Sequence, residues 1–184
     1  MGKLSFLLQY IFKPRTVGAV LPSSKYLANK MVASIDFDNA KCIVEYGAGT
    51  GVFTEKILQK RNPDTIVILF EMNDAFCQTL KEKYGSEPNM HIVNDTAQNV
   101  GAKLQKYGFG YADYVVSGLP FASLPQDVSV GILAETKKYL KPSGAFITFQ
   151  YTLLKMDFIG QFFDKIEIER ELKNVPPAYV LRCQ

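Results

Sequence analysis

Apolar positions along this chain change period repeatedly, and each change marks an element. Short apolar runs, such as Cys42-Ile43-Val44 and Ile66-Val67-Ile68-Leu69-Phe70, predict buried strands near 41–46, 65–70, 90–94, 112–117 and 144–151. Helical spacing between them predicts helices near 52–61, 74–84, 97–107 and 126–140. Ahead of the first strand, Leu27, Ala28, Met31, Val32 and Ile35 fall on one helical face behind Ser23, a candidate N-cap. Ser123 and Gln126 have capping-box spacing with Pro125 in the first turn, and Lys141-Pro142-Ser143-Gly144 is a stop signal. Alternation of strands and helices at these lengths implies an α/β fold with a doubly wound, mostly parallel sheet. The tail departs from this rhythm. Lys165 to Arg170 alternates with period two, Ala178-Tyr179-Val180-Leu181-Arg182 is a second strand-like run, and Asn174-Val175-Pro176-Pro177 lies between them. These predict an antiparallel hairpin at one sheet edge, giving seven strands in all.

Between the first strand and its helix stands Glu45-Tyr46-Gly47-Ala48-Gly49-Thr50-Gly51. A strand, a glycine turn and a helix start form a nucleotide-type loop, where a Cβ would keep a ligand from the backbone. A dinucleotide loop (G-x-G-x-x-G) would need its third glycine at Val52; here it is Gly51, and an acid precedes the first glycine by two residues. This E-x-G-x-G-x-G form resembles motif I of class I S-adenosylmethionine (SAM) methyltransferases, which implies a Rossmann-like fold and SAM as cofactor. Glu71, followed by Met72, ends the second strand run 20 residues after Gly51. A carboxylate there holds ribose hydroxyls, although Asn73-Asp74 also permits a plain helix cap. After the third strand, Asn94-Asp95-Thr96-Ala97 matches the family position that accepts from the adenine amino group, and it too can be read as a cap.

Composition narrows the class. The 184 residues suit one domain, and 47% apolar with 21% charged residues are values of a globular chain. No stretch reaches the roughly 18 uninterrupted apolar residues of a membrane span. A net charge of +3 argues only weakly for an anionic partner. Cys42, Cys77 and Cys183 are odd in number and lack C-x-x-C spacing, so neither a disulfide framework nor a zinc site is indicated, and the setting reads as reducing and cytoplasmic. His91 is the single histidine and reads as structural, so no metal site is expected.

The first residues imitate a signal peptide, with Leu4 to Phe12 apolar between Lys3 and Lys13-Pro14-Arg15. Gln9 and Tyr10 interrupt the apolar core, no small-x-small cleavage site follows, and Phe6 stands where myristoylation wants Ser or Thr. A short amphipathic helix remains, suited either to lie on an anionic bilayer or to close over the cofactor. Residues 1–35 are therefore expected to form a helical lid or membrane-facing segment of a single domain spanning 1–184.

The end of the fourth strand, Ser117-Gly118-Leu119-Pro120-Phe121, bears on the substrate. Ribosomal RNA adenine dimethylases resemble this chain and carry Asn-Leu-Pro-Tyr there, where the Asn and adjacent carbonyl polarise a conjugated amine and the Tyr stacks on the base. Gly118 aligns with that Asn and Phe121 with that Tyr. A saturated primary amine needs no such polarisation, only deprotonation and alignment, so the loop disfavours adenine. With Pro14 to Ser24, Phe149-Gln150-Tyr151 and Asn174 to Tyr179, the chain from about residue 4 to its end resembles the short bacterial phospholipid N-methyltransferases. That resemblance implies methylation of phosphatidylethanolamine towards phosphatidylcholine by a peripheral protein at the inner membrane face, with no nucleic-acid partner.

On this reading Glu45, Gly47, Ala48, Gly49, Gly51, Glu71, Met72, Asp95, Thr96 and Ser117 bind SAM. Ser117, Leu119, Phe121 and Tyr151 surround the transfer. Aromatic residues at the mouth (Tyr10, Phe12, Tyr26, Phe121, Tyr151, Tyr179) would hold the ammonium by cation–π attraction, and Arg15 or Arg182 the lipid phosphate. The competing readings are a ribosomal RNA adenine N-methyltransferase, a small-molecule N-methyltransferase, and a SAM-binding protein without catalysis.

Overall fold

The structure, a computed structural model, describes residues 24–184. Its centre is a seven-stranded sheet: β1 (Cys42–Tyr46), β2 (Ile66–Phe70), β3 (Met90–Val93), β4 (Ala112–Ser117), β5 (Leu140–Gln150), β6 (Ile166–Glu171) and β7 (Ala178–Cys183). The order is β3-β2-β1-β4-β5-β7-β6, parallel from β3 to β5, with β7 antiparallel to both β5 and β6. The predicted hairpin is present, and β7 is the strand that joins it to the sheet.

The helices are α1 (Lys25–Val32), α2 (Val52–Lys60), α3 (Asp74–Tyr84), α4 (Val100–Lys106), α5 (Gln126–Tyr139) and α6 (Met156–Ile159). Strand residues alternate between two apolar layers. Ile43, Val67, Leu69, Val116 and Ile147 meet α1, α2 and α3 through Leu27, Met31, Ile57 and Leu80. Cys42, Val44, Ile68, Val115 and Phe146 meet α4, α5 and α6 through Leu104, Leu133 and Ile159. Strands covered on both faces are buried along their length, and all five β1 residues, Glu45 included, are buried.

Several boundaries differ from the sequence reading. Ser24 rather than Ser23 caps α1, its Oγ accepting from the Leu27 N–H at 3.2 Å. Residues 25–32 form a packed layer helix with four buried apolar side chains, so this part of the expected lid belongs to the core. Ser123 and Gln126 form no capping box: Pro125 precedes the helix without a side-chain cap, and the Ser123 N–H is donated to the Pro120 carbonyl instead. The helix expected at 97–107 splits into a 3-10 turn, Ala97–Asn99, and α4. β5 starts early because Leu140 pairs with Ala112; the register then slips before Tyr114 meets Ala145, leaving Lys141, Pro142 and Ser143 exposed.

The chain winds outward from β1 through β2 to β3, then returns to place β4 on the other side of β1. In an open α/β sheet, the carboxyl ends of strands at such a reversal diverge and leave a crevice. Here those ends carry Gly47, Glu71, Asp95 and Gly118.

Candidate active site

The crevice is lined by Gly47, Gly49, Phe70, Glu71, Met72, Phe76, Asp95, Thr96, Ala97, Gly118, Leu119, Pro120, Leu124, Val128 and Ile132. Polar groups come from the ends of β1, β2 and β3, and the apolar wall comes from the β4–α5 loop and α5.

The glycines around the crevice have different physical duties. Gly49 has φ +54°, and a Cβ there would meet nothing closer than the Gly47 carbonyl at 4.0 Å. Its missing side chain therefore leaves open space on the crevice floor. Gly51 also has positive φ, but its absent Cβ would lie 2.9 Å from Tyr84 Cε2 and 3.2 Å from Leu80 Cδ2. That glycine is demanded by packing of the loop on α3. Gly118 is a third case: a Cβ would stand 2.9 Å from the Gly47 carbonyl and 3.4 Å from Phe53 Cε2. The β4 loop thus rests directly on the glycine loop, leaving no room there for a polarising side chain.

Glu71 ties β2 to this loop. Its Oε2 accepts from the Gly49 N–H and its Oε1 from the Asn73 N–H, both at 2.8 Å. Each carboxylate oxygen keeps a second lone pair, so two ligand hydroxyls can still be accepted. The two sequence readings of this acid are compatible, because Asn73 itself caps α3, accepting from the Phe76 N–H at 3.0 Å.

Asp95 bonds the turn that follows it. Its Oδ1 accepts from the Thr96 N–H and from Asn99 Nδ2, both at 2.8 Å, and its Oδ2 pairs with Lys103 Nζ at 2.9 Å. Burial raises its carboxyl pKa, but Lys103, Asn99 and Thr96 outweigh that and hold it below the ordinary range. It lines the crevice as an anion with an acceptor position to spare.

Glu45 lies elsewhere. It points into the layer below the loop, wholly buried, with Oε2 accepting from the Thr54 hydroxyl at 2.7 Å and Oε1 without a partner among the described residues. Burial pushes its carboxyl up to about 8, against the Thr54 hydrogen bond. Between the unfolded value near 4.5 and about 8, the folded state holds more protons than the unfolded chain, so this group makes stability fall as pH rises. Glu45→Gln, which mimics the protonated acid, is expected to flatten that decline. Thermal melts of both proteins from pH 5 to 8 check it, and parallel curves would count against a neutral Glu45.

The chain matches the methyltransferase domain family over residues 43–144. It is also 33% identical over 181 residues to an ornithine lipid N-methyltransferase from Singulisphaera acidiphila, covering 97% of this chain and 94% of that protein. The chain belongs to the class I SAM-dependent methyltransferases. An rRNA adenine N-6-methyltransferase from Lysinibacillus sphaericus is 28% identical, over 77% of this chain and 51% of that protein. Among solved structures, a precorrin-6y methyltransferase from Geobacter metallireducens superposes with a TM-score of 0.65 at 12% identity, covering 86% of each chain. An rRNA methylase from Streptococcus thermophilus gives 0.62 at 12% identity, over 85% of this chain and 93% of that one. These two likenesses concern the fold alone.

Several residues expected at the methyltransferase site stand elsewhere. Phe121 is 1% exposed, its ring edge-on to Phe146 at 6.0 Å. It is a core side chain, because its loop folds inward beneath Leu119 and Pro120, which line the crevice in its place. Ser117 is fully buried, its Oγ accepting from the Leu119 N–H at 3.2 Å, so it shapes the loop from below. Arg182 bonds Gln184 at 2.7 Å and Glu167 at 3.3 Å, opposite Ile147 and short of the crevice end of β5, so it is not placed to hold a headgroup phosphate. Tyr151 and Tyr179 both stand at the crevice end of β5 and β7 but pack on opposite faces of the sheet. Tyr26 sits apart, between Lys25 and Lys173. The described residues therefore assemble no aromatic cage; Tyr10, Phe12 and Arg15 lie outside them.

The apolar wall was absent from the sequence reading. Leu124, just ahead of α5, recurs at four-residue spacing with Val128 and Ile132 on that helix, and all three face the crevice. That spacing was visible, but a crevice wall and a core face have the same pattern.

Proposed function

We propose that the methyltransferase transfers the methyl group of SAM to the primary amine of a membrane-lipid headgroup. The observation that carries this reading is the likeness to a lipid N-methyltransferase over almost the whole of both chains, whereas the likeness to an RNA methylase spans half of that protein. The β4 loop supports it, since Gly118 offers no amide to polarise a conjugated amine.

The crevice fits the cofactor. Gly47 and Gly49 line the floor that would take its amino-acid part, Glu71 would accept from the ribose hydroxyls, Asp95 and Thr96 would meet the adenine amino group, and Met72, Leu124, Val128 and Ile132 would flank the adenine. When bound, SAM supplies a methyl on a sulfonium, open to attack by an amine lone pair from the opposite side. The remaining work is positional. An alkyl amine with pKa near ~10 must first lose a proton. Tyr151 offers no ready phenolate, because burial raises its phenol above the ordinary range and keeps it protonated, with Asn174 opposing. Water at the open mouth therefore takes the proton, and rate should rise with pH as the amine deprotonates.

Phosphatidylethanolamine and ornithine lipid both present a primary alkyl amine, and they form the two arms of the test. With labelled SAM, transfer to vesicles containing one of these lipids should exceed transfer to ribosomal RNA by about a hundredfold, the discrimination that differently built acceptor pockets reach. Labelled RNA beside unlabelled lipid would replace this reading with the RNA methylase one.

A further inference from the structure

The exposed large apolar side chains are unevenly placed. Leu153 and Leu154 stand on the loop that follows β5, and Leu154 is 88% exposed. Leu172 (64%) and Val175 (72%) stand on the β6–β7 turn, beside the exposed Pro176 and Pro177. Tyr26, at the start of α1, is 41% exposed. All three places lie at one end of the sheet, because Gln150 pairs with Tyr179 and Glu171 with Ala178. That end is the crevice end.

Two of the segments are fastened to the rest of the fold. Asn174 is 3% exposed at the centre of the turn. Its Oδ1 accepts from the Ser24 N–H at 3.0 Å and its Nδ2 donates to the Pro176 carbonyl at 2.7 Å. With its backbone held this way, the turn presents Leu172 and Val175 outward on a fixed support. Cations accompany the apolar tips. Lys25 and Lys173 stand 5.4 and 5.1 Å from the Tyr26 ring centre, and Lys155 stands 5.6 Å from that of Phe158. The acids nearby are Asp157 and Glu171, and Glu171 accepts from the Lys173 N–H.

We propose that these two loops and the start of α1 form a docking surface for an anionic bilayer, with the apolar tips entering the interface and the lysines meeting lipid phosphates. Isolated apolar residues need no explanation. Apolar tips set among lysines do, and a face that interleaves Leu154 with Lys155 and Leu172 and Val175 with Lys173 matches an anionic lipid surface. The proposal rests on the lipid reading above and deepens it, because it puts the membrane at the open end of the crevice, where a headgroup must enter.

The chain contains no tryptophan, so an introduced one reports alone. Leu154→Trp in the full chain should shift its emission to the blue when vesicles of phosphatidylcholine and phosphatidylglycerol are added. Tyr111→Trp, which replaces an exposed ring just before β4 at the opposite end of the sheet, should not. Lys155→Gln and Lys173→Gln should each weaken vesicle binding about fivefold, and the pair Leu154→Glu with Val175→Glu should abolish co-sedimentation while S-adenosylhomocysteine still binds. Turnover of a monomeric short-chain phosphatidylethanolamine by the paired variant separates the two ideas. Retained turnover with lost docking supports both. A paired variant that still binds vesicles, equal shifts at 154 and 111, or a concentration-dependent dimer that those substitutions break, overturns the docking surface and leaves the substrate reading standing. Docking by a wild-type protein that methylates no lipid amine overturns the substrate reading alone.

Discussion

Gly49→Val is expected to weaken cofactor binding severely, raising the dissociation constant of S-adenosylhomocysteine about 100-fold, roughly 2.7 kcal/mol. Two effects act together. Gly49 has φ +54°, where a branched side chain is strained by about 1–2 kcal/mol. The new methyl groups would also fill the open floor beside Gly49, which the ligand has to occupy. That same openness means the substitution leaves no clash within the empty fold, so only the backbone strain lowers the melting temperature, a smaller effect than the loss of affinity. Titration calorimetry with a thermal melt as control measures both. Unchanged affinity would remove the glycine loop from the cofactor site.

Glu71→Ala is expected to cost about 1.5–3 kcal/mol of cofactor affinity, the range for hydrogen bonds to a charged group. The variant would lose the acceptor proposed for the ribose hydroxyls and also strips the Gly49 and Asn73 N–H groups of theirs, so the loop loses its tie to β2. Glu71→Gln should not rescue it fully. A carboxamide has one accepting oxygen, and its NH2 would face either the Gly49 or the Asn73 donor. Calorimetry on the three proteins should rank wild type above Gln and Gln above Ala. A change below about twofold in the Ala variant, far under that hydrogen-bond range, would reduce Glu71 to a structural tie.

What the sequence disclosed and what it hid follow from locality. The glycine loop, Glu71 and Asp95 belong to short segments at strand ends, and parallel topology brings those ends together whatever the details. The doubly wound sheet and its hairpin were legible for the same reason, since apolar runs and period-two alternation are local. Phe121 and Arg182 were misplaced because their destinations are settled by tertiary packing. A phenylalanine after a strand reads equally well as a pocket wall or as core, and the edge-on contact with Phe146 decides for core. Arg182 lies on a strand whose register was unknown from sequence, and its pairing opposite Ile147 carries it away from the crevice. Gly118 was noticed for what it lacks chemically. The reason it is glycine, its contact distance from the Gly47 carbonyl, joins two strands 71 residues apart in sequence and needed the structure. Asn174 is similar: a turn residue in sequence, and in the fold the bond between the hairpin and the start of α1.

The central claim is that this crevice delivers a methyl group to a lipid amine. Mass spectrometry of the lipid after incubation with isotopically labelled SAM tests it most directly. The account predicts labelled methyl on the headgroup nitrogen of phosphatidylethanolamine or ornithine lipid, absent with Gly49→Val. Headgroups left unmodified while label accumulates in ribosomal RNA would contradict it.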